Sequence, residues 1–285
     1  MSRYEVAQEL DPNEAVEIES LLAVEQFIAR SKLRDWSPDD LDVDEIREYG
    51  HLLSPETITI AEAFMGVEAE LPFYLTTGDR DDWEKRLKDV PSEVLFGDRW
   101  GDEEGRHKPT LAEILFYYGV RTREEIAAYN KAVLQHGWSP TDHQGLNSLV
   151  GARVYRMFQE RATYVNYRGL LSLIRQDYGL PQDLTAKERS RGRQIGAAEA
   201  VDTVSMDEQG HFVINFELVK IHLKYFPEET KKKIREVHDG FKMPSLRFLP
   251  NQREFVQALR NTHIYSGNIF QEQVAQPTLR SLGLT

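Results

Sequence analysis

Apolar residues recur at intervals of three and four along almost the whole chain, and strict alternation is scarce, so the pattern predicts helices. The first runs from about Asn13 to Leu33, with Leu21, Val24, Phe27 and Ile28 on one face. Pro38 in Trp36-Ser37-Pro38-Asp39-Asp40 ends that pattern, because proline lacks a donor and disfavours helix before it. Ser54-Pro55-Glu56 opens a second helix reaching about Tyr74. Further helices are predicted over about 92–118, stopping at Gly119, over about 122–134, over about 144–178 and over about 185–224. From Pro227 shorter helices follow, with a break at Met243-Pro244. No repeat, linker or low-complexity stretch interrupts the series, so residues 1–285 read as one all-α domain.

Composition narrows the function classes. Of the 285 residues 40% are hydrophobic and 29% charged, as in a water-soluble globular protein. No apolar run approaches the roughly 20 residues that span a bilayer, so no membrane insertion is expected. The N-terminus lacks a basic region followed by an apolar one, which predicts no signal peptide. A net charge of -12 argues against nucleic-acid binding. The absence of cysteine removes disulfides, thiolate metal sites and cysteine-ligated iron–sulfur clusters, and it fits a reducing cytoplasm.

Chemistry concentrates in two pairs, Glu104-Gly105-Arg106-His107 and Glu208-Gln209-Gly210-His211, each inside a long predicted helix. Positions i and i+3 share a helix face, so each pair aims a carboxylate and an imidazole the same way. Two such pairs plus one glutamate from each of two further helices form the ligand set of di-metal bundles. Glu68, flanked by Phe64 and Leu71, and Glu160, flanked by Met157, Tyr164 and Tyr167, occupy such faces. An uncompensated buried carboxylate is costly, and a metal ion explains it. A third copy, Glu48-Tyr49-Gly50-His51, crosses a glycine just before a helix start and reads as chance.

At these residues the chain resembles the soluble acyl-acyl carrier protein desaturases, especially compact bacterial members. Glu68-Ala69-Glu70-Leu71-Pro72-Phe73-Tyr74 is similar to the family's Glu-x-x-Leu-Pro-x-Tyr segment. Glu103-Glu104-Gly105-Arg106-His107 stands for its Glu-Glu-Asn-Arg-His, with Trp100 one turn earlier. Phe158-Gln159-Glu160-Arg161-Ala162-Thr163 matches plant-type members without change, and Asp207-Glu208-Gln209-Gly210-His211 stands for Asp-Glu-Lys-Arg-His.

The resemblance implies a ferritin-like four-helix bundle carrying a di-iron site, with flanking helices. Glu68 and His107 would be terminal ligands of one iron, Glu160 and His211 of the other, with Glu104 and Glu208 bridging the two. Thr163 would place a hydroxyl beside the oxygen-binding face, and Trp36 and Asp207 would relay electrons. The implied reaction is O2-dependent desaturation of an acyl chain on acyl carrier protein, with a ferredoxin-type donor and a homodimeric assembly. The alternative is a di-iron oxygenase, a hydroxylase or N-oxygenase, acting on a carrier-bound or small metabolite. Gly105 and Gly210 depart from the family pattern, as does Pro109. Pro72 and Pro109 each remove an i-4 bond, which predicts widened turns near the ligands. The carrier is expected at one of two basic clusters, Lys187-Arg189-Arg191-Arg193 or Lys231-Lys232-Lys233-Arg235, with the second favoured.

Overall fold

The computed structural model describes residues 11–69, 89–136, 148–182, 196–243 and 249–284. Within them every regular element is helical. The elements are α1 Pro12–Lys32, α2 Val43–Tyr49, α3 Pro55–Ala69, α4 Pro91–Tyr117, α5 Arg123–His136, α6 Leu149–Asp177, α7 Ala197–Tyr225, α8 Pro227–Gly240 and α9 Gln252–Thr262. A last stretch, α10, joins Gly267–Ile269, a π-helical segment Phe270–Ala275 and Gln276–Ser281.

Local chemistry fixes the boundaries. Asp11 accepts from the Asn13 amide at 2.9 Å and Pro12 opens α1, while Ser148 accepts from Gly151 at 3.1 Å to start α6. Gly119, at φ 69°, lets the chain leave α4 where the pattern predicted a stop. Gly196 precedes α7 at φ 46°, and a Cβ there would lie 3.1 Å from the Ile46 amide nitrogen in α2. That contact explains why α7 begins at Ala197; the earlier part of its predicted span falls outside the described residues.

Helices α3, α4, α6 and α7 enclose the centre, with α6 and α7 in the most extensive contact. Helix α1 packs on α4 and α7, α9 on α3, and α8 on α6. Ile60, Leu111, Ile114, Tyr167, Leu170 and Val201 are among the fully buried side chains of the largest apolar cluster. Toward one end a polar network replaces apolar packing. Fully buried Arg153 donates to Glu93 at 2.7 Å, to Ser20 and Ser92, and to Nε2 of His222 at 2.9 Å. Arg156 donates to the other Glu93 oxygen at 2.6 Å and to Asn215, whose amide bonds the His211 carbonyl at 2.9 Å. Four helices, α1, α4, α6 and α7, are thereby tied together next to one ligand-bearing turn.

The widened turn expected near Pro109 is not formed. Helix α4 stays α-helical through Pro109, because exposed Gly105 can leave its freed carbonyl on the water side. Pro72 lies outside the described residues. A π-turn does occur before Pro277, whose missing donor frees the Gln273 carbonyl, and Arg161 Nε donates to it at 3.3 Å.

Candidate metal centre

Six side chains from the four central helices converge in the interior: Glu68 from α3, Glu104 and His107 from α4, Glu160 from α6, and Glu208 and His211 from α7. All are buried, both histidines completely. They fall into two groups that share Glu104 and Glu208, one completed by Glu68 and His107, the other by Glu160 and His211. Within each group the donor atoms lie within 4.8 Å of one another. His107 Nδ1 stands 3.3 Å from Glu104, 3.2 Å from Glu208 and 3.8 Å from Glu68. His211 Nδ1 stands 2.9 Å from Glu104 and 3.8 Å from Glu160. The third pair behaves as chance predicts: Glu48 and His51 are exposed, and among the described residues the His51 side chain bonds the Glu48 carbonyl alone.

The outer nitrogens of the two rings have separate carboxylate partners. His211 Nε2 lies 3.0 Å from Glu103, which Arg99 holds at 2.9 Å. His107 Nε2 lies 3.6 Å from Asp207, which accepts from the half-buried Trp36 indole at 2.8 Å. The Glu103 bond fixes the His211 ring so that its other nitrogen faces the centre, whereas Asp207 stands just beyond hydrogen-bond reach of His107 Nε2. Apart from the doubled glutamate of the motif, nothing in the sequence points to the Glu103–Arg99 pair. Tyr167, on the face that the sequence assigns to Glu160, donates its hydroxyl to Glu68 at 2.6 Å. Thr163 donates to the Gln159 carbonyl and lies beside Glu68 on a shared cavity wall.

The electrostatics are those of crowded carboxylates in a dry interior. Burial, then the charge of Glu104, push Glu208 up to about 8. Burial and the neighbouring Glu208 and Glu104 raise Glu160 well above the carboxylate range. Burial also raises Glu68. Burial opposes a charged His211, but the Glu103 hydrogen bond and the adjoining Glu104 carboxylate lift it to about 10. His107 rises likewise against burial, through Glu104, Asp207 and Glu208.

This arrangement fits a pair of cations. Both nitrogens of His107, His211 Nδ1, Glu160 Oε1 and both Glu208 oxygens are buried without a hydrogen-bond partner among the described residues, a costly state that metal ligation at the inward-facing atoms relieves. Four carboxylates and two imidazoles match the charge and donor type of two divalent transition ions. Replacing Tyr167 with Phe removes the donor that orients Glu68. Metal titration of the Tyr167→Phe protein is expected to show roughly tenfold weaker binding at the group containing Glu68, with helical content retained. An unchanged affinity would mean that this bond does not position Glu68.

The basic clusters give less than the sequence promised. Lys231 pairs with Glu228 at 3.0 Å, and Lys232 and Lys233 face Glu236 at 3.8 and 2.9 Å, so the field of that cluster is largely offset on its own helix. The cluster at Lys187-Arg189-Arg191-Arg193 falls outside the described residues.

Four helices around two carboxylate–histidine groups define the ferritin-like class with a site fitted to two metal ions. A fatty acid desaturase family profile matches residues 2–280, and the chain belongs to that family. A solved Mycobacterium tuberculosis protein assigned as an acyl-ACP desaturase, DesA2, is 19% identical with a TM-score of 0.59, and the match covers 95% of each chain. An R2-like ligand-binding oxidase variant with a reconstituted Mn/Fe cofactor is 14% identical with a TM-score of 0.55, covering 93% of this chain and 92% of the other. A Sulfolobus acidocaldarius R2-like ligand-binding oxidase is 13% identical at 0.50, covering 92% and 89%. At such identities the likeness is one of fold. No curated protein matches the sequence. Among the described residues no helix is long and apolar enough to cross a membrane.

Proposed function

We propose that the protein is a di-iron acyl-[acyl-carrier-protein] desaturase, acting as one domain over residues 1–285 and as a homodimer. The observation that carries this reading is a small apolar cavity whose wall is shared with the metal cluster. It measures about 50 Å³ and is lined by Phe64, Val67, Phe255 and Leu259, with Glu68 and Thr163 at its polar edge. Its volume is well below that of a drug-sized pocket, so it suits a short stretch of methylene chain. Chain placed there has its carbons beside the cluster and away from water.

In this reading Glu68 and His107 would hold one iron and Glu160 and His211 the other, with Glu104 and Glu208 available to both. The iron pair supplies O2 activation for removing hydrogen from an unactivated methylene. Glu103 keeps the His211 ring oriented, Asp207 sets a carboxylate beside His107 Nε2, and Tyr167 keeps Glu68 turned toward the cluster. Trp36, through Asp207, connects the surface to His107 and serves electron entry. Thr163 places a hydroxyl at the cavity edge beside Glu68. Without cysteine of its own the chain depends on an external donor, for which a ferredoxin is suited.

A second reading, oxygenation of a more polar metabolite, is favoured by Asn166, whose side-chain oxygen is buried on the same cavity wall without a partner among the described residues. Mass spectrometry of a panel of acyl-carrier proteins, incubated with iron-loaded enzyme, O2 and a reducing system, separates the two. Loss of two hydrogens from the acyl group is expected. Gain of one oxygen, or no acyl product across chain lengths, overturns the desaturase reading.

A further inference from the structure

Three polar side chains on the cavity wall take no part in the metal cluster: Thr163 and Asn166 from α6, and Tyr265 just past α9. Thr163 and Asn166 stand at i and i+3, so they share one face of the helix that also carries Glu160. Apart from Glu68 and the Tyr167 hydroxyl bonded to it, the rest of the wall is apolar.

The hydrogen-bonding capacity of these three groups is not used up within the protein. Thr163 gives its proton to the Gln159 carbonyl at 2.9 Å, which leaves lone pairs on its oxygen to accept. Asn166 Oδ1 is a buried acceptor without a partner among the described residues. Tyr265 packs against an apolar core cluster, and burial pushes its hydroxyl up to about 12, so it keeps its proton and stays a donor. The cavity wall therefore presents both acceptors and a donor.

A wall of this kind fits bare methylenes poorly. A plain acyl chain entering the cavity displaces water from these groups and returns no hydrogen bond. Leaving a buried acceptor unpaired is costlier than pairing it is rewarding. A hydroxyl both donates and accepts, so it can satisfy Asn166 Oδ1 and the Tyr265 hydroxyl together. A carbonyl could serve only the donor, and an ammonium group only the acceptors. The cavity, at about 50 Å³, holds a short stretch of chain, and Glu68 lies on the same wall, so such a hydroxyl sits close to the carbons beside the cluster. We infer that the substrate is an acyl chain bearing a hydroxyl group close to the methylenes that react, and that Asn166 is the residue that selects it. The inference rests on the desaturase reading and narrows its substrate class.

The test compares acyl-carrier proteins of one chain length, unsubstituted or with a single hydroxyl placed at successive carbons. Anaerobic binding to iron-loaded enzyme gives Kd, and turnover with O2 and a reducing system gives kcat/KM and the product mass. For at least one hydroxyl position the wild type is expected to bind about tenfold more tightly than it binds the plain chain, with kcat/KM about tenfold higher. Asn166→Leu keeps the side-chain volume and removes its hydrogen bonds. In that variant the preference is expected to vanish, with the hydroxylated chain binding more weakly and the plain chain more tightly, while helical content is retained. Equal Kd values for plain and hydroxylated chains at every position overturn the inference, and that comparison uses the wild type alone. A preference retained in Asn166→Leu overturns it too, as does equal weakening of both chains, which marks a merely structural role. A hydroxylated chain that binds preferentially but gains an oxygen, or stays unchanged, upholds the selection and overturns the desaturase reading instead.

Discussion

Glu93→Ala is expected to destabilise the protein by about 3–5 kcal/mol, because it leaves buried Arg153 without its counter-ion and deprives Arg156 of the same partner. Removing one member of a buried pair costs more than the pair contributes, since the remaining charge stays desolvated. Burial opposes the Glu93 carboxylate, yet Arg156 and Arg153 hold it at about 2 against a reference of 4.5. The sign follows from the depressed value: the contribution is complete above pH 4.5 and is lost as pH falls toward 2. Urea unfolding at pH 7 reads the first effect, and a series from pH 7 to pH 3 the second. A loss below about 1 kcal/mol at pH 7 would show the network to be dispensable. Iron binding should change less than stability, because Arg156 reaches His211 only through Asn215 and a backbone carbonyl.

Freed of metal, the protein should lose stability steadily as pH rises from about 4.5 to about 10. Glu208 moves from 4.5 to about 8 and His211 from 6.5 to about 10 on folding, and Glu68, Glu160 and His107 shift upward too. Each raised group holds its proton longer folded than unfolded, so the folded chain binds more protons in that window and stability declines with pH. The total is on the order of a few kcal/mol at roughly 1.4 kcal/mol per shifted unit, discounted for coupling among the groups. Bound metal replaces those protons, so the loaded protein should have a nearly flat profile over the same window. Thermal midpoints at pH 6 and pH 9, with chelator and with iron, measure the difference. The gap between loaded and metal-free protein should widen at pH 9. Parallel profiles would mean that the carboxylates do not exchange protons for metal.

These two results depend on features of very different visibility in the sequence. The six cluster residues were legible because helix period alone sets each Glu-x-x-His on one face, and because Glu68 and Glu160 interrupt otherwise apolar faces. The glycine in Glu48-Tyr49-Gly50-His51 likewise marked that copy as chance. Glu93, Arg153 and Arg156 gave no such signal. Their partners lie about 60 residues apart on other helices, and charged residues on a helix ordinarily read as a solvated face. Tyr167 was correctly placed on an inward face, but the glutamate it bonds is 99 residues away. Helix ends followed local rules at Gly119 and Pro12. The Pro109 turn did not, because the position of Gly105 at the surface, a tertiary fact, decides whether a missing hydrogen bond has to be accommodated inside the helix.

Everything proposed for this chain depends on the cluster holding two metal ions. Metal analysis of anaerobically iron-loaded protein, wild type beside Glu104→Ala and Glu208→Ala, tests that most directly. The account predicts two irons per chain in the wild type and a loss of one or both in each variant, with helical content retained, since each variant removes a ligand shared by both groups. Two irons kept in both variants, or fewer than two in the wild type, would contradict it.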